Sequence, residues 1–316
     1  MSDYRLLGIE RSASRVTINV LSEGSAEPTA IHGADWFSAV VGHSAPSDQP
    51  RGASRDPGPG VGIRAAVTGP TDAGGSIRCE VWWASPADAS PGLVDLVPEA
   101  ERIRIARLHR SADRGRALVG AALARLALGR QLGVDPTAVE LARRCRCGSE
   151  HGKPRLVSGG GLDVSVSHSG PHIVVALVRG AEVGVDVEAD DRRAGPPAPA
   201  LLRLATTPAE RGAWQHGWSR TEFLRTWVRK ESVVKATGDG LSVPFAGFTV
   251  TAPGDAPALL SWPADPGLPA RVALADLPAR AGATATVAVL APVGTTTAPT
   301  ALAVVEHDAS LLLAQA

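Results

Sequence analysis

Leu162-Asp-Val-Ser-Val-Ser-His-Ser-Gly-Pro-His-Ile-Val-Val-Ala-Leu-Val-Arg-Gly-Ala-Glu-Val-Gly-Val-Asp-Val-Glu188 reads as three successive strands joined by two glycine turns. In the first strand Leu162, Val164 and Val166 alternate with Asp163, Ser165 and Ser167, the period of a half-buried strand. Ser169-Gly-Pro171 turns the chain. His172–Val178 is an almost continuous apolar run, which predicts a mostly buried strand. A tight turn at Gly180 leads to the third strand. There Val183, Val185 and Val187 point into a core, while Gly184, Asp186 and Glu188 point the other way. Carboxylates two residues apart on a strand stand about 6.5–7 Å apart at their backbones, so both can reach one cation. The same pattern also suits a plain polar outer face. Gly184 leaves open space beside the two acids.

Toward the C terminus, a helix is expected from about Thr221 to Ala236, stopped by Gly238 and Gly240. It holds Trp227-Val-Arg-Lys-Glu-Ser-Val-Val-Lys235. Residues four apart share a helix face, so Trp227, Glu231 and Lys235 project together with Lys230 beside them. An aromatic, a carboxylate and an ammonium in one row suit a metal ion with an anion; a solvated helix with a Glu-to-Lys pair shows the same spacing. Leu201–Ala205 is read as helical, and Thr207-Pro208 starts another helix, with Thr207 as its cap. Short strands are expected at Gly247–Thr251, Ala270–Leu274, Thr284–Leu290 and Ala301–Val305, with a turn-rich break at Thr295–Pro299.

Toward the N terminus, His151-Gly-Lys-Pro-Arg-Leu156 is a loop entering a strand, because the residue before proline is pushed to extended geometry. Lys153 there is a surface lysine or an anion contact. Arg116–Leu132 is a helix so rich in Ala, Leu and Val that most of its circumference is buried, and Gly133 ends it. Ile77–Ala84 reads as a strand and Glu99 to about His109 as a helix. Arg104, Arg107, Arg110 and Arg114 recur at three- or four-residue steps and would share one flank of a helix. They make either a solvated basic face or a phosphate clamp. Arg15–Leu21 alternates as a strand, and Gly42–Gly62 reads as a flexible Pro/Gly-rich connector. Ser167, His168 and the hairpin turn after them offer hydroxyls, an imidazole and free N–H groups to a phosphate; a strand-end histidine is also commonly just a hydrogen-bonded one.

Lys+Arg and Asp+Glu each number 32, and this balance argues against bulk nucleic-acid binding. No run approaches the ~18 apolar residues that would span a bilayer. With three cysteines and no apolar leader, a soluble cytoplasmic protein away from membranes is expected. Cys145-Arg-Cys147 with His151 is too tightly spaced for a zinc knuckle, and no second pair exists in the sequence.

Gly-Lys-Pro, Ser-x-Ser-His-Ser, Gly-x-Asp-x-Glu and Trp-x-x-Lys-Glu-x-x-x-Lys occur here in that order. This series resembles the Sfp-type 4′-phosphopantetheinyl transferases, from about Trp82 to Leu290. The resemblance implies an α+β fold: a pseudo-symmetric pair of halves with the active site between them and a junction near Gly180–Val183. Residues 1–75 would be an N-terminal extension, 76–182 the first half and 183–316 the second. The implied activity moves the phosphopantetheine arm of coenzyme A to a serine of an acyl or peptidyl carrier protein. Asp186, Glu188 and Glu231 would hold Mg²⁺, with Mn²⁺ as an alternative. Asp186, Glu231 and Lys235 would be catalytic, Lys235 at the α-phosphate and Glu231 as the base candidate. Lys153, Ser167, His168, Lys230 and Lys235 would grip coenzyme A, Trp227 would shape the site, and Arg104, Arg107 and Arg114 are candidates for the 3′-phosphate. A monomer follows from the fused halves. Arg192, Arg193, Arg203 and Arg211, with Leu201 and Leu202, form a candidate docking patch for an acidic carrier. Competing readings are an inactive coenzyme A-binding module and a metal-dependent phosphohydrolase.

Overall fold

The computed structural model describes residues 76–143, 152–158, 160–191, 195–214, 217–280, 282–294 and 302–316, and the strand backbone at 4–12, 15–22 and 29–32. The sequence expectations at 42–62, Cys145, Cys147, His151, Arg192, Arg193 and 295–299 lie outside the described residues. Near the N terminus β1 (Tyr4–Ser12), β2 (Arg15–Ser22) and β3 (Thr29–His32) pair antiparallel in a sheet of their own.

After it come β4 (Ile77–Ala84), α1 (Glu99–Ala106), α2 (Ser111–Leu132), β5 (Leu141–Arg143), β6 (Pro154–Leu156), β7 (Leu162–Ser169), β8 (His172–Arg179) and β9 (Glu182–Ala189). Then follow α3 (Pro199–Ala205), α4 (Pro208–Ala213), α5 (Arg220–Thr237), β10 (Thr249–Val250), β11 (Leu259–Ser261), β12 (Val272–Asp276), β13 (Ala283–Leu290), β14 (Leu302–Asp308) and α6 (Ser310–Ala314).

Two of the sheets carry the expected pair of α+β halves. The first has the order β14-β4-β8-β7 and the second β12-β13-β9. Strand alternation divides their side chains among three cores. Leu162, Val164, Ile173, Val175 and Leu177 pack against α2. Val174, Ala176 and Val178 meet Val183, Val185, Val187, Ala285 and Val287 between the two sheets. Leu274 and Ala288 pack under α5 with Trp227, Phe245 and Phe248. The result is helix, sheet, sheet, helix, with β9 just after the junction.

Local chemistry sets the helix ends. Ser219 caps α5 with Glu222 returning the bond, Thr207 does the same for α4 with Glu210, and Gly238 closes α5 in the left-handed region at φ 74°. Helix α2 starts five residues before the expected Arg116. The basic run is not one helix flank: α1 ends at Ala106, and Arg110 is extended at φ −90°, ψ 136°. Arg104, Arg107, Arg110 and Arg114 are therefore spread over α1, a turn and α2.

The C-terminal segment departs from the expected division at 182/183. Strand β14 pairs parallel with β4 in the first half's sheet, and Leu313 is buried in the first half's core. Among the described residues no helix is long and apolar enough to cross a membrane.

Candidate active site

Gly184 is where the site is set. A Cβ there would lie 2.0 Å from the Ser232 carbonyl oxygen and 2.4 Å from the Ala236 nitrogen. The space expected beside Asp186 and Glu188 is filled by the backbone of α5. Only glycine admits this approach, and it lowers the helix face carrying Glu231 and Lys235 onto the strand face carrying the two acids.

The buried Asp186 carboxylate is the hub. Its Oδ1 accepts from Lys235 Nζ at 2.6 Å and from Ser167 Oγ at 2.8 Å. Lys235 also donates to the Val185 carbonyl at 3.1 Å and to Ser167 Oγ at 3.0 Å. Asp186 Oδ2 is buried without a hydrogen-bond partner. Glu188 Oε2 accepts from Ser169 Oγ at 2.8 Å.

Burial and a neighbouring negative charge shift the protonation of the two glutamates. Burial, then the Asp186 charge, pushes Glu188 up to about 8. The same two causes push Glu231 up to about 7. Burial opposes charge on Lys235, but Asp186, Glu231 and Glu188 together outweigh it and raise its pKa. Titrating groups at perturbed values, gathered in one spot, mark a functional site better than any one residue does.

Residues 81–179 match the family described as 4′-phosphopantetheinyl transferase, N-terminal, and residues 182–284 match the 4′-phosphopantetheinyl transferase superfamily. The chain belongs to that superfamily. A 4′-phosphopantetheinyl transferase of Bacillus subtilis is 30% identical over 157 residues, covering 49% of this chain and 66% of the relative. The 4′-phosphopantetheinyl transferase Sfp of Bacillus subtilis strain 168 is 25% identical, covering 50% of this chain and 67% of the relative. The L-aminoadipate-semialdehyde dehydrogenase-phosphopantetheinyl transferase of Xenopus laevis is 28% identical, covering 53% and 59%. The chain thus spans about two thirds or less of the length of these curated relatives.

In this superfamily member the other predicted residues fall into three groups. Ser167 sits beside the carboxylates, on β7, and His168 is the next residue along that strand. Desolvation at the strand end, then the charges of Arg116 and Lys235, hold His168 below its ordinary value, so its imidazole is neutral near pH 7. Arg116 is expected as the start of the helix to Leu132 and, with the Arg104–Arg116 stretch, in the basic segment that the resemblance implies for the 3′-phosphate. It donates to the Gly170 carbonyl at the hairpin tip at 3.1 Å and pairs with Asp113. It is the arginine of that run that touches the hairpin carrying His168; its spacing from the others gave no sign of this.

A second group is engaged elsewhere. Lys153 pairs with Asp163, four residues before Ser167 on β7, about 13 Å along the strand. Arg104 pairs with Glu101 at 2.5 Å, which also holds the buried Arg125 at 2.8 Å. Arg114 donates to the Leu108 and His109 carbonyls at 2.8 and 3.1 Å, and Arg107 is exposed at the end of α1.

The third group is in the core. Lys230, expected at coenzyme A, is fully buried; it donates to the Phe245 and Phe248 carbonyls at 2.6 and 2.7 Å and pairs with Glu210 at 2.8 Å. One residue is about 100° on a helix, enough to turn Lys230 inward while Glu231 meets the acids. Trp227 is likewise core, packed on Phe245 at 4.9 Å between ring centroids. Of the expected docking patch, the described residues are Leu201, which is buried, Leu202, which is half-buried, Arg211, which donates to the Thr206 carbonyl, and Arg203, which is exposed.

Among the described residues no three His, Cys, Asp or Glu side chains are arranged to hold a metal ion as they stand. The expected meeting of Asp186, Glu188 and Glu231 around a cation is therefore gathered but not closed, with the Lys235 ammonium on Asp186. The donor chemistry still fits a hard divalent cation: three carboxylates, one buried oxygen of Asp186 without a partner, and two acids whose pKa values are raised by burial and then by the Asp186 charge.

Proposed function

We propose that this protein transfers the 4′-phosphopantetheine arm of coenzyme A to a serine of an acyl or peptidyl carrier protein, in a Mg²⁺-dependent reaction that releases adenosine 3′,5′-bisphosphate. The observation that carries the reading is the convergence of Asp186, Glu188, Glu231 and Lys235 across the Gly184 contact. Superfamily membership over both halves supports it.

Asp186, Glu188 and Glu231 would hold the cation, which when bound neutralises charge on the pyrophosphate oxygens. Mn²⁺ has the same preference for oxygen ligands. Lys235 offsets the charge that develops on the leaving bisphosphate. Glu231 takes the proton of the carrier serine. The serine oxygen forms a bond to the phosphorus of the pantetheine phosphate, and the bond from that phosphorus to the bridging oxygen breaks. Neutral His168 and Arg116 flank the hairpin where donor phosphate is bound.

The test is incubation with coenzyme A, Mg²⁺ and an apo carrier protein, read by the intact mass of the carrier. Gain of one phosphopantetheine, lost on chelation, supports the reading. Nucleotide release with unmodified carrier would make the protein a phosphohydrolase, and neither product would make it a coenzyme A-binding module.

A further inference from the structure

β9 is the edge strand of its sheet, and the N–H groups of its free edge are received by side chains of β7 instead of by a neighbouring strand. Val183 N–H donates to Asp163 Oδ2 at 2.7 Å, and Val185 N–H to Ser165 Oγ at 3.0 Å. Val187 N–H donates to Ser167 Oγ at 3.4 Å and Ala189 N–H to Ser169 Oγ at 3.1 Å. Four alternate residues of one strand thus stitch the two halves together.

The last two rungs do more than stitch. A hydroxyl has one proton to give. With an amide donating to its oxygen, its own proton turns away from the backbone. Ser167 gives it to Asp186 Oδ1 and Ser169 gives it to Glu188 Oε2, each at 2.8 Å. Ser165 has the same backbone bond and no carboxylate on it.

We propose that Ser169 is a positioning residue for Glu188: held by the Ala189 amide, its hydroxyl fixes the Glu188 carboxylate in the orientation that binds the divalent cation. This rests on the reading that Asp186, Glu188 and Glu231 hold that cation. Ligand carboxylates are oriented by such outer hydrogen bonds, and losing one weakens metal binding by about tenfold or more.

The experiment is calorimetric titration of Mg²⁺, and separately Mn²⁺, into the full chain without coenzyme A. Ser169→Ala should bind about tenfold more weakly than wild type. Ser169→Thr, which keeps the hydroxyl, should return to within about twofold. Ser165→Ala loses an equivalent stitch and should keep wild-type metal affinity. In the transferase assay Ser169→Ala should need about tenfold more Mg²⁺ for half-maximal rate, with kcat unchanged at saturating metal. If Ser169→Ala does not fold, Ser169→Cys, close in size and a weak donor, is compared instead. Wild-type affinity in Ser169→Ala, or equal weakening in Ser165→Ala, overturns the role of Ser169. Failure of the wild type to bind either metal sinks the cation site itself.

Discussion

Lys235 Nζ lies 2.6 Å from Asp186 Oδ1, an ion pair that joins helix α5 to strand β9 in the middle of the carboxylate cluster. The pair serves two ends. It neutralises part of the charge that Asp186, Glu188 and Glu231 place together, and it holds an ammonium where a phosphate would meet it. Lys235→Met should lower kcat by about 10²–10³, measured on apo carrier at saturating Mg²⁺ and coenzyme A. Asp186→Ala should abolish transfer while circular dichroism stays that of the wild type. A fully active Asp186→Ala would refute the proposed chemistry.

The metal-free protein should lose stability as pH rises from about 4.5 to 8. The folded-state pKa values of Glu188 and Glu231 are raised to about 8 and about 7 from an ordinary 4.5. Between these values the folded chain holds more protons than the unfolded one, so stability falls with pH. Both groups need their protons while the cluster is empty. Thermal melts in EDTA should show the decline, by roughly 5 °C across that window. Saturating Mg²⁺ should flatten it. A melting temperature in EDTA that rises from pH 5 to 8 would count against the crowded carboxylates.

Gly184→Ala tests the contact that builds the site. The added methyl would need the 2.0 Å gap to the Ser232 carbonyl to widen, and backbone on both sides resists. A cost of about 3 kcal/mol is expected, seen in urea unfolding. Transfer activity should fall further than stability does, because α5 moves away with Glu231 and Lys235 on it.

Lys230 should behave as a core residue. Lys230→Ala strands the Glu210 carboxylate, which otherwise caps α4 and receives Val250 N–H at 2.9 Å. Breaking such a buried pair costs about 3–5 kcal/mol. The double variant Lys230→Met with Glu210→Gln removes both charges and should recover part of that loss. Its KM for coenzyme A should match the wild type; a large rise in KM would return Lys230 to the donor site.

The strands of the site were legible because they alternate: β7, β8 and β9 lie within a residue of their expected limits. Helix α5 was legible from its spacing and its glycine stop. What could not be read was rotation. Periodicity places Glu231 and Lys235 on one face, yet it equally allowed Trp227 and Lys230 there, and only packing against Phe245 and Phe248 turned those two inward. The basic run misled for a related reason. Its three- and four-residue steps assume an unbroken helix, and α1 ends at Ala106. The serine stitches were visible as alternation and read as one polar face; that their partners are backbone amides depends on two sheets meeting, which no local pattern encodes.

Strand β14 has a consequence for biogenesis. The first half's sheet holds Ile77 through Trp83 against a strand made more than two hundred residues later. During synthesis, β4 must wait with that flank unmet, and the place later filled by Leu313 stays hollow until α6 emerges. Emergence of β14 and α6, not completion of the first half, is the moment at which this scaffold can close.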